Sequence, residues 1–196
     1  MTAVVTARAT VESVAENTSD AEVAPLVWGA LAGLPGLVGY RAVNTLDAMV
    51  GHRDERYNRF GTASARLDDV ANLVPSRVTA AVTVAAAPLV NPPGRGASAA
   101  VRAAWVWLRY GHRHPSPNSG QCEAAMAGAL GVSLGGRNVY GGRAEHRPVL
   151  GDGPRPSTVD IRRATRLSAT VGAAVLAACA GHVLFRPWRR SARRRR

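Results

Sequence analysis

The chain of 196 residues contains no lysine: all 25 of its basic residues are arginine. That absence excludes a P-loop lysine, a Schiff-base lysine and an adenylated lysine. Aromatic residues make up only 5% of the chain, while Ala, Val, Gly and Leu dominate. Any interior is therefore built from small side chains that let helix backbones approach closely. Cysteine is limited to Cys122 and Cys179, one in a polar segment and one in an apolar run, so neither a disulfide framework nor a CxxC site exists. Cys122 has no basic neighbour that would mark a nucleophile, and His112, His114 and Cys122 match no common zinc spacing. The pattern of a cleavable secretory signal is missing too, because Glu12, Glu16, Asp20 and Glu22 precede the first apolar run.

What is present is a formal net charge of +12, much of it at one end. Arg186, Arg189, Arg190 and Arg193 to Arg196 lie in the final segment; without these seven, 18 Arg oppose 13 acidic residues, a net of +5. Basic charge is a property of the tail and not of a groove interleaved with aromatics, so no nucleic-acid partner is expected. Residues 23–40 hold no charged side chain in 18 positions, although Pro25 and Pro35 interrupt them, and residues 78–90 form a second, shorter apolar stretch. Residues 167–185 are the clearest span: 19 residues with only His182 and Cys179 ionisable, rising about 28 Å.

These runs predict an all-α fold, a polytopic integral membrane protein of helices with long polar loops, placed in the cell membrane with lipid as a partner. The expected divisions are a core at 1–166, a C-terminal transmembrane helix at 167–185 and an Arg-rich tail at 186–196, the tail cytoplasmic by its positive charge. Helices are expected at 7–20, 97–110 and about 123–130. Residues 111–158 otherwise read as a long irregular segment, rich in Gly and Pro. One conflict follows. If 78–90 and 167–185 each span once, the loops at 44–72 and 111–166 lie on opposite sides of the membrane. Either residues 70–110 form a two-helix hairpin and the tail rule fails, or one apolar stretch is re-entrant, and the second is favoured.

The polar segments carry a surplus of carboxylates and amides. Glu12, Glu16 and Asp20 recur at i, i+4 and i+8, a ladder on one helical face. Asn44 and Asp47 follow, then Asp68, Asp69 and Asn72. Hard oxygen ligands of this kind suit Mg²⁺, which usually brings a phosphate substrate with it, although a solvated helix face or a cap also explains any one of them. The segment from His112 to Asn118 is stiffened by Pro115 and Pro117 beside His, Ser and Asn, which favours a substrate-contacting loop. Gly135-Gly136 and Gly141-Gly142 could present backbone N–H groups to a phosphate, with flexible turns as the plainer explanation.

Read as strings, the same residues resemble a known family. Ala9-Thr-Val-Glu-Ser-Val-Ala-Glu-Asn-Thr-Ser-Asp20, Asn44-Thr-Leu-Asp-Ala-Met-Val-Gly-His52, Ser64-Ala-Arg-Leu-Asp-Asp-Val-Ala-Asn72, and His114-Pro-Ser-Pro-Asn118 with Glu123-Ala-Ala-Met-Ala-Gly-Ala-Leu-Gly131 are co-linear. Together they resemble the adenosylcobinamide-phosphate synthase family, membrane enzymes of cobalamin biosynthesis. The resemblance implies an ATP-dependent amide ligase that joins 1-amino-2-propanol, or its O-phosphate, to a propionate of adenosylcobyric acid. A carboxylate must first be activated, as an acyl phosphate or similar species, so the site needs Mg²⁺, Arg and amide donors more than a protein nucleophile.

On that reading Glu12, Glu16, Asp47 and Arg66 are the catalytic candidates, and Asp68 and Asp69 the metal ligands. Asn17, Asn44, His114, Ser116 and Asn118 would orient phosphate and corrin amides. Mg²⁺ and ATP are the implied cofactors; the corrinoid, the amino alcohol and other membrane enzymes of cobalamin assembly are the implied partners. Family members carry a further N-terminal portion with membrane spans, so the resemblance implies a chain that starts late. The alternative is an inactive remnant or a membrane partner protein that retains the fold.

Overall fold

A computed structural model describes residues 3–51, 58–91, 94, 96–140 and 143–193. The order is α1 (Ala3–Asn17), a π-helical stretch (Thr18–Val23), α2 (Ala24–Val50), α3 (Asn58–Ala86) continued by a 3₁₀ turn (Ala87–Val90), α4 (Gly96–Tyr110), a 3₁₀ turn (Gly111–Arg113), α5 (Ser119–Leu130), the strands β1 (Leu134–Tyr140) and β2 (Arg143–Leu150), and α6 (Thr158–Arg193). Among the described residues the fold is helical apart from one hairpin and short connections, in agreement with the all-α expectation.

The helices wrap α5, whose Gly120 and residues 122–130 are all buried. Its sequence explains the position. Alanine and glycine present so little side chain that neighbouring backbones close onto it: a Cβ on Gly128 would lie 2.6 Å from Ala103 Cα of α4. The last carbonyls of α5 are satisfied from outside the helix. Arg102 Nε donates to Gly128 O at 2.7 Å and Asn91 Nδ2 to Ala129 O at 3.1 Å, which places a cation and an amide at the negative helix end.

α2 is not a straight rod. Gly33 has φ 67° and ψ −155°, a conformation open essentially to glycine alone, and Pro35 follows. Tyr40 Oη donates to Asp20 O at 3.0 Å, whereas 20 residues of uninterrupted helix would separate the two by about 30 Å. The chain therefore turns back at Gly33, and residues 34–50 return alongside 20–32. A second reversal follows between α3 and α4. Asn118 contacts Asp69 and Ser76, so the chain that leaves along α3 comes back along α4. Residues 70–110 form a two-helix hairpin, the less favoured of the two arrangements above, and the apolar stretch in α2 doubles back on itself as well.

α6 begins at Thr158, where Asp160 accepts hydrogen bonds from Ser157 N and Oγ at 2.9 and 2.8 Å, a capping arrangement. The apolar run at 167–185 sits inside this 36-residue helix. The segment 111–158, expected to be irregular, contains the antiparallel β1–β2 hairpin, with Leu134 opposite Leu150 and Gly136 opposite Arg147. Those strands lack the alternation that announces a half-buried sheet. They are fixed by tertiary contacts: Leu134 and Leu150 are fully buried, and Arg8 and Arg155 each donate to Gly135 O at 2.7 Å.

Among the described residues, three stretches are long and apolar enough to cross a membrane, Val4–Val50, Phe60–Val90 and Thr158–Phe185. Large apolar side chains face outward along them and on α4: Leu34, Met49, Leu89, Leu108 and Leu184 are each more than 70% exposed. Outward-facing leucines in such number suit a lipid surround better than water. Substituting Gly33 by Val should lower stability by about 1–3 kcal/mol, measured as thermal unfolding in detergent. Gly39→Ala, where an added Cβ meets nothing within 4 Å, should be close to neutral. Equal effects of the two changes would count against the reversal.

Candidate functional site

The two reversals gather polar side chains from α1, the π-helical stretch, α2, α3 and the segment before α5. Asp68 of α3 is the centre of one group. Its Oδ1 accepts from Asn44 Nδ2 of α2 at 3.3 Å and its Oδ2 from Asn72 Nδ2, one helical turn on, at 3.0 Å. Asn72 is buried, and its Oδ1 accepts from Tyr40 Oη at 2.9 Å. Asp20 faces Asp68, Glu16 and Asp47 electrostatically, so four carboxylates from four stretches of chain share one neighbourhood.

The π-helical stretch makes this possible. Widening the helix at Thr18–Val23 frees backbone groups from the regular ladder, as such bulges do at functional sites, and the Asp20 carbonyl becomes the acceptor for Tyr40. Asp69, one residue from Asp68 and therefore about 100° round the helix, points elsewhere. Its carbonyl accepts from Asn118 Nδ2 at 2.8 Å, and Asn118 Oδ1 in turn accepts from Ser76 Oγ at 3.1 Å.

A second group continues the line through Glu16. Glu12 is buried, accepts from Gly135 N at 2.7 Å and lies 3.6 Å from Arg8 Nε. Gly135, a candidate phosphate donor by sequence, thus gives its N–H to a carboxylate of the chain itself. Gly141 and Gly142 lie outside the described residues. Glu123 of α5 is 1% exposed. Burial, then the negative charges of Glu16 and Glu12, push its carboxyl up to about 9, and its Oε1 is 3.8 Å from His114 Nε2. Burial likewise raises the Cys122 thiol far above the ordinary thiol range, which leaves it inert as a nucleophile.

Of the residues singled out by sequence, Glu16, Asn44, Asp47 and Asp68 come together around Asp20, while Glu12 and His114 meet at Glu123. Asn118 joins α5 to α3. Ser116 serves the start of α5: its Oγ accepts from Asn118 N at 3.3 Å and Ser119 N at 3.2 Å, and its own N–H donates to His114 Nδ1 at 3.1 Å. Two candidates stay apart. Asn17 is exposed, with Nδ2 bonded back to Ser13 O at 2.8 Å, and Arg66 is exposed on α3, about 200° round from Asp68.

Sequence reasoning missed Tyr40 and Glu123 as functional positions, and it singled out Asn72 beside Asp68 without giving it a role. The one available signal was Glu123 itself, a lone carboxylate in a helix of Ala, Gly and Met. For Mg²⁺ the donor chemistry at Asp20, Asp47 and Asp68 fits, all hard oxygens. Among the described residues, however, no three His, Cys, Asp or Glu side chains stand close enough to hold a metal ion.

Long apolar helices around a line of buried and half-buried carboxylates and amides define a helical protein suited to a membrane, with its polar chemistry drawn inward. The chain belongs to the CobD/CbiB family: the family model described as CobD/Cbib protein matches residues 1–168. It is 56% identical over 172 residues to the cobalamin biosynthesis protein CobD of Mycobacterium tuberculosis, covering 87% of this chain and 53% of that protein. The proteins of the same name from Geobacter metallireducens and Rhodobacter capsulatus are 52% and 49% identical over 159 and 162 residues. Those matches cover 81% and 82% of this chain and 48% of each relative. The chain spans about half the length of these curated relatives. No solved structure matches it.

Tyr40→Phe should lower stability by about 1–3 kcal/mol, because it removes the one hydroxyl proton that the buried Asn72 Oδ1 and the Asp20 carbonyl share. Thermal unfolding of Tyr40→Phe, Asn72→Leu and the double variant checks this. Strictly additive losses would mean that the two side chains do not act as one network.

Proposed function

We propose that this protein acts in cobalamin biosynthesis by forming the amide bond between 1-amino-2-propanol, or its O-phosphate, and a propionate of adenosylcobyric acid. The observation that carries the reading is the placement of the resembling motifs. The strings around Glu16, Asp47 and Asp68 lie far apart in sequence and converge on Asp20, and the string that holds Asn118 is tied to the same helix, α3, at Asp69 and Ser76. The name borne by the three relatives supports it. The proposed setting is the cell membrane, as a multi-pass protein in contact with lipid and with other membrane enzymes of cobalamin assembly.

The amine is an ammonium ion at neutral pH and must lose a proton before its nitrogen attacks. Glu16, half-buried between Asp20 and Glu123, is the proposed base. A neighbourhood with several carboxylates and few cations also attracts an ammonium group and holds it for reaction. Asn44 and Asn72 fix both oxygens of Asp68, so that carboxylate presents a set geometry, which positioning catalysis requires. Asp47 and Asp68 would hold Mg²⁺, whose chemistry is the neutralisation of phosphoryl oxygens, with ATP as the source of carboxylate activation. Asn118, whose amide is taken up by Ser76 and Asp69, holds the start of α5 against α3 and so sets the border of the site. Arg66 has no role in this scheme.

The test is product formation by purified protein in detergent or lipid, given adenosylcobyric acid, ATP, Mg²⁺ and either amine. Asp68→Asn should lower the rate on the order of 100-fold, as loss of one electrostatic group in a reaction centre does, while membrane insertion is unchanged. No product from the wild type with either amine, or a wild-type rate from Asp68→Asn, would contradict the proposal.

A further inference from the structure

We propose that Glu123 is a neutral positioning residue whose carboxyl proton is donated to the Glu16 carboxylate, fixing the orientation of that group. The role given to Glu16 rests on the function proposed above; the protonated pair itself does not. Glu123 sits in the most enclosed helix of the protein, and neither of its oxygens receives a hydrogen bond from an N–H or hydroxyl group. An ionised carboxylate left in that condition is among the costliest groups a protein can bury, and such a group takes up a proton instead.

The charged groups facing it are Glu12 and Glu16 from α1, His114 from the segment before α5, and Arg147 from β2. His114 Nε2 at 3.8 Å is beyond hydrogen-bonding distance. Glu12 is already engaged by Gly135 N–H and Arg8. Glu16 is the carboxylate within hydrogen-bonding reach of Glu123, and two carboxyl groups in contact bind each other only when one carries a proton. The Glu123 proton thus lowers the charge of the group and gives Glu16 a donor from the rigid side of the site.

This arrangement has a pH signature independent of catalysis. The Glu123 carboxyl rises from an ordinary value of 4.5 to about 9 in the fold. An unfolded chain ionises it near the ordinary value, so its contribution to stability is fully present below that pH. The contribution is lost progressively as pH rises towards about 9 and is constant above. Glu123→Gln keeps an N–H donor for Glu16 and cannot ionise, so it escapes the loss.

The experiment compares thermal unfolding of the wild type and Glu123→Gln in detergent from about pH 5 to about pH 9. The Tm of the variant should gain on that of the wild type with rising pH, by at least about 5 °C across the range. A pH-independent difference overturns the proposal. Infrared spectroscopy of the wild type decides the matter even if the variant does not fold. The carbonyl band of a protonated carboxyl should be present near neutral pH, where exposed carboxylates are ionised, and should fade as pH passes about 9. Absence of that band near neutral pH, or its persistence unchanged in a folded Glu123→Gln, overturns the proposal whether or not the protein makes any product.

Discussion

Tyr40 reaches Asp20 and Asn72 only because the chain turns back on itself at Gly33. That reversal brings Asn44 and Asp47 from the far end of α2 to the face where α3 carries Asp68. Without it, residues 20 and 47 would lie about 40 Å apart along one helix, and no shared site could form. A single backbone conformation, open essentially to glycine, thus decides whether the polar residues of the first fifty positions face one another or are strung along an apolar rod. The small residues around the turn belong to the same device: the returning half of the helix packs Gly36 against Trp28 and Leu37 against Gly29.

The second constraint is the enclosure of α5. Because the buried part of this helix is mostly alanine and glycine, α4 packs against it at backbone distance, and its terminal carbonyls are met by Arg102 and Asn91. The polar groups at its start, Asn118 and Glu123, are therefore held by a rigid element instead of a mobile loop. The hairpin is tied to the same frame through Gly135, whose N–H goes to Glu12 and whose carbonyl takes both Arg8 and Arg155. Arginine as the sole Lys/Arg-type cation suits such duties, since the guanidinium keeps its charge when buried and spreads its donors over fixed directions.

Much of this was legible in the sequence where the signal is local. Hydropathy marks the long helices, and the four motifs mark the stretches that converge. The hairpin was not legible, since Gly135 and Gly136 break any alternation and the strands depend on arginines distant in sequence. Nor was the direction of Asp69 against Asp68: spacing places both on α3, but only the positions of Asn44 and Asn118 say which side each serves. The ladder of Glu12, Glu16 and Asp20 was read as one regular face, whereas the π-helical stretch re-aims its last member. Glu123 carried a signal in its isolation among alanines, which marks a buried carboxylate without naming the partner that takes its proton.

The reversal at Gly33 is tested most directly by a cross-link. A Cβ on Gly29 would lie 3.6 Å from Leu37 Cβ, inside the range a disulfide requires, whereas eight residues of continuous helix would separate the two positions by about 12 Å. With Cys122 and Cys179 replaced by Ser, the pair Gly29→Cys and Leu37→Cys should close an intramolecular disulfide under mild oxidation, read as loss of both free thiols in the monomer. Two thiols that stay free, or pair only between molecules, would mean that the chain runs straight through this point, and the shared site would fall with the turn.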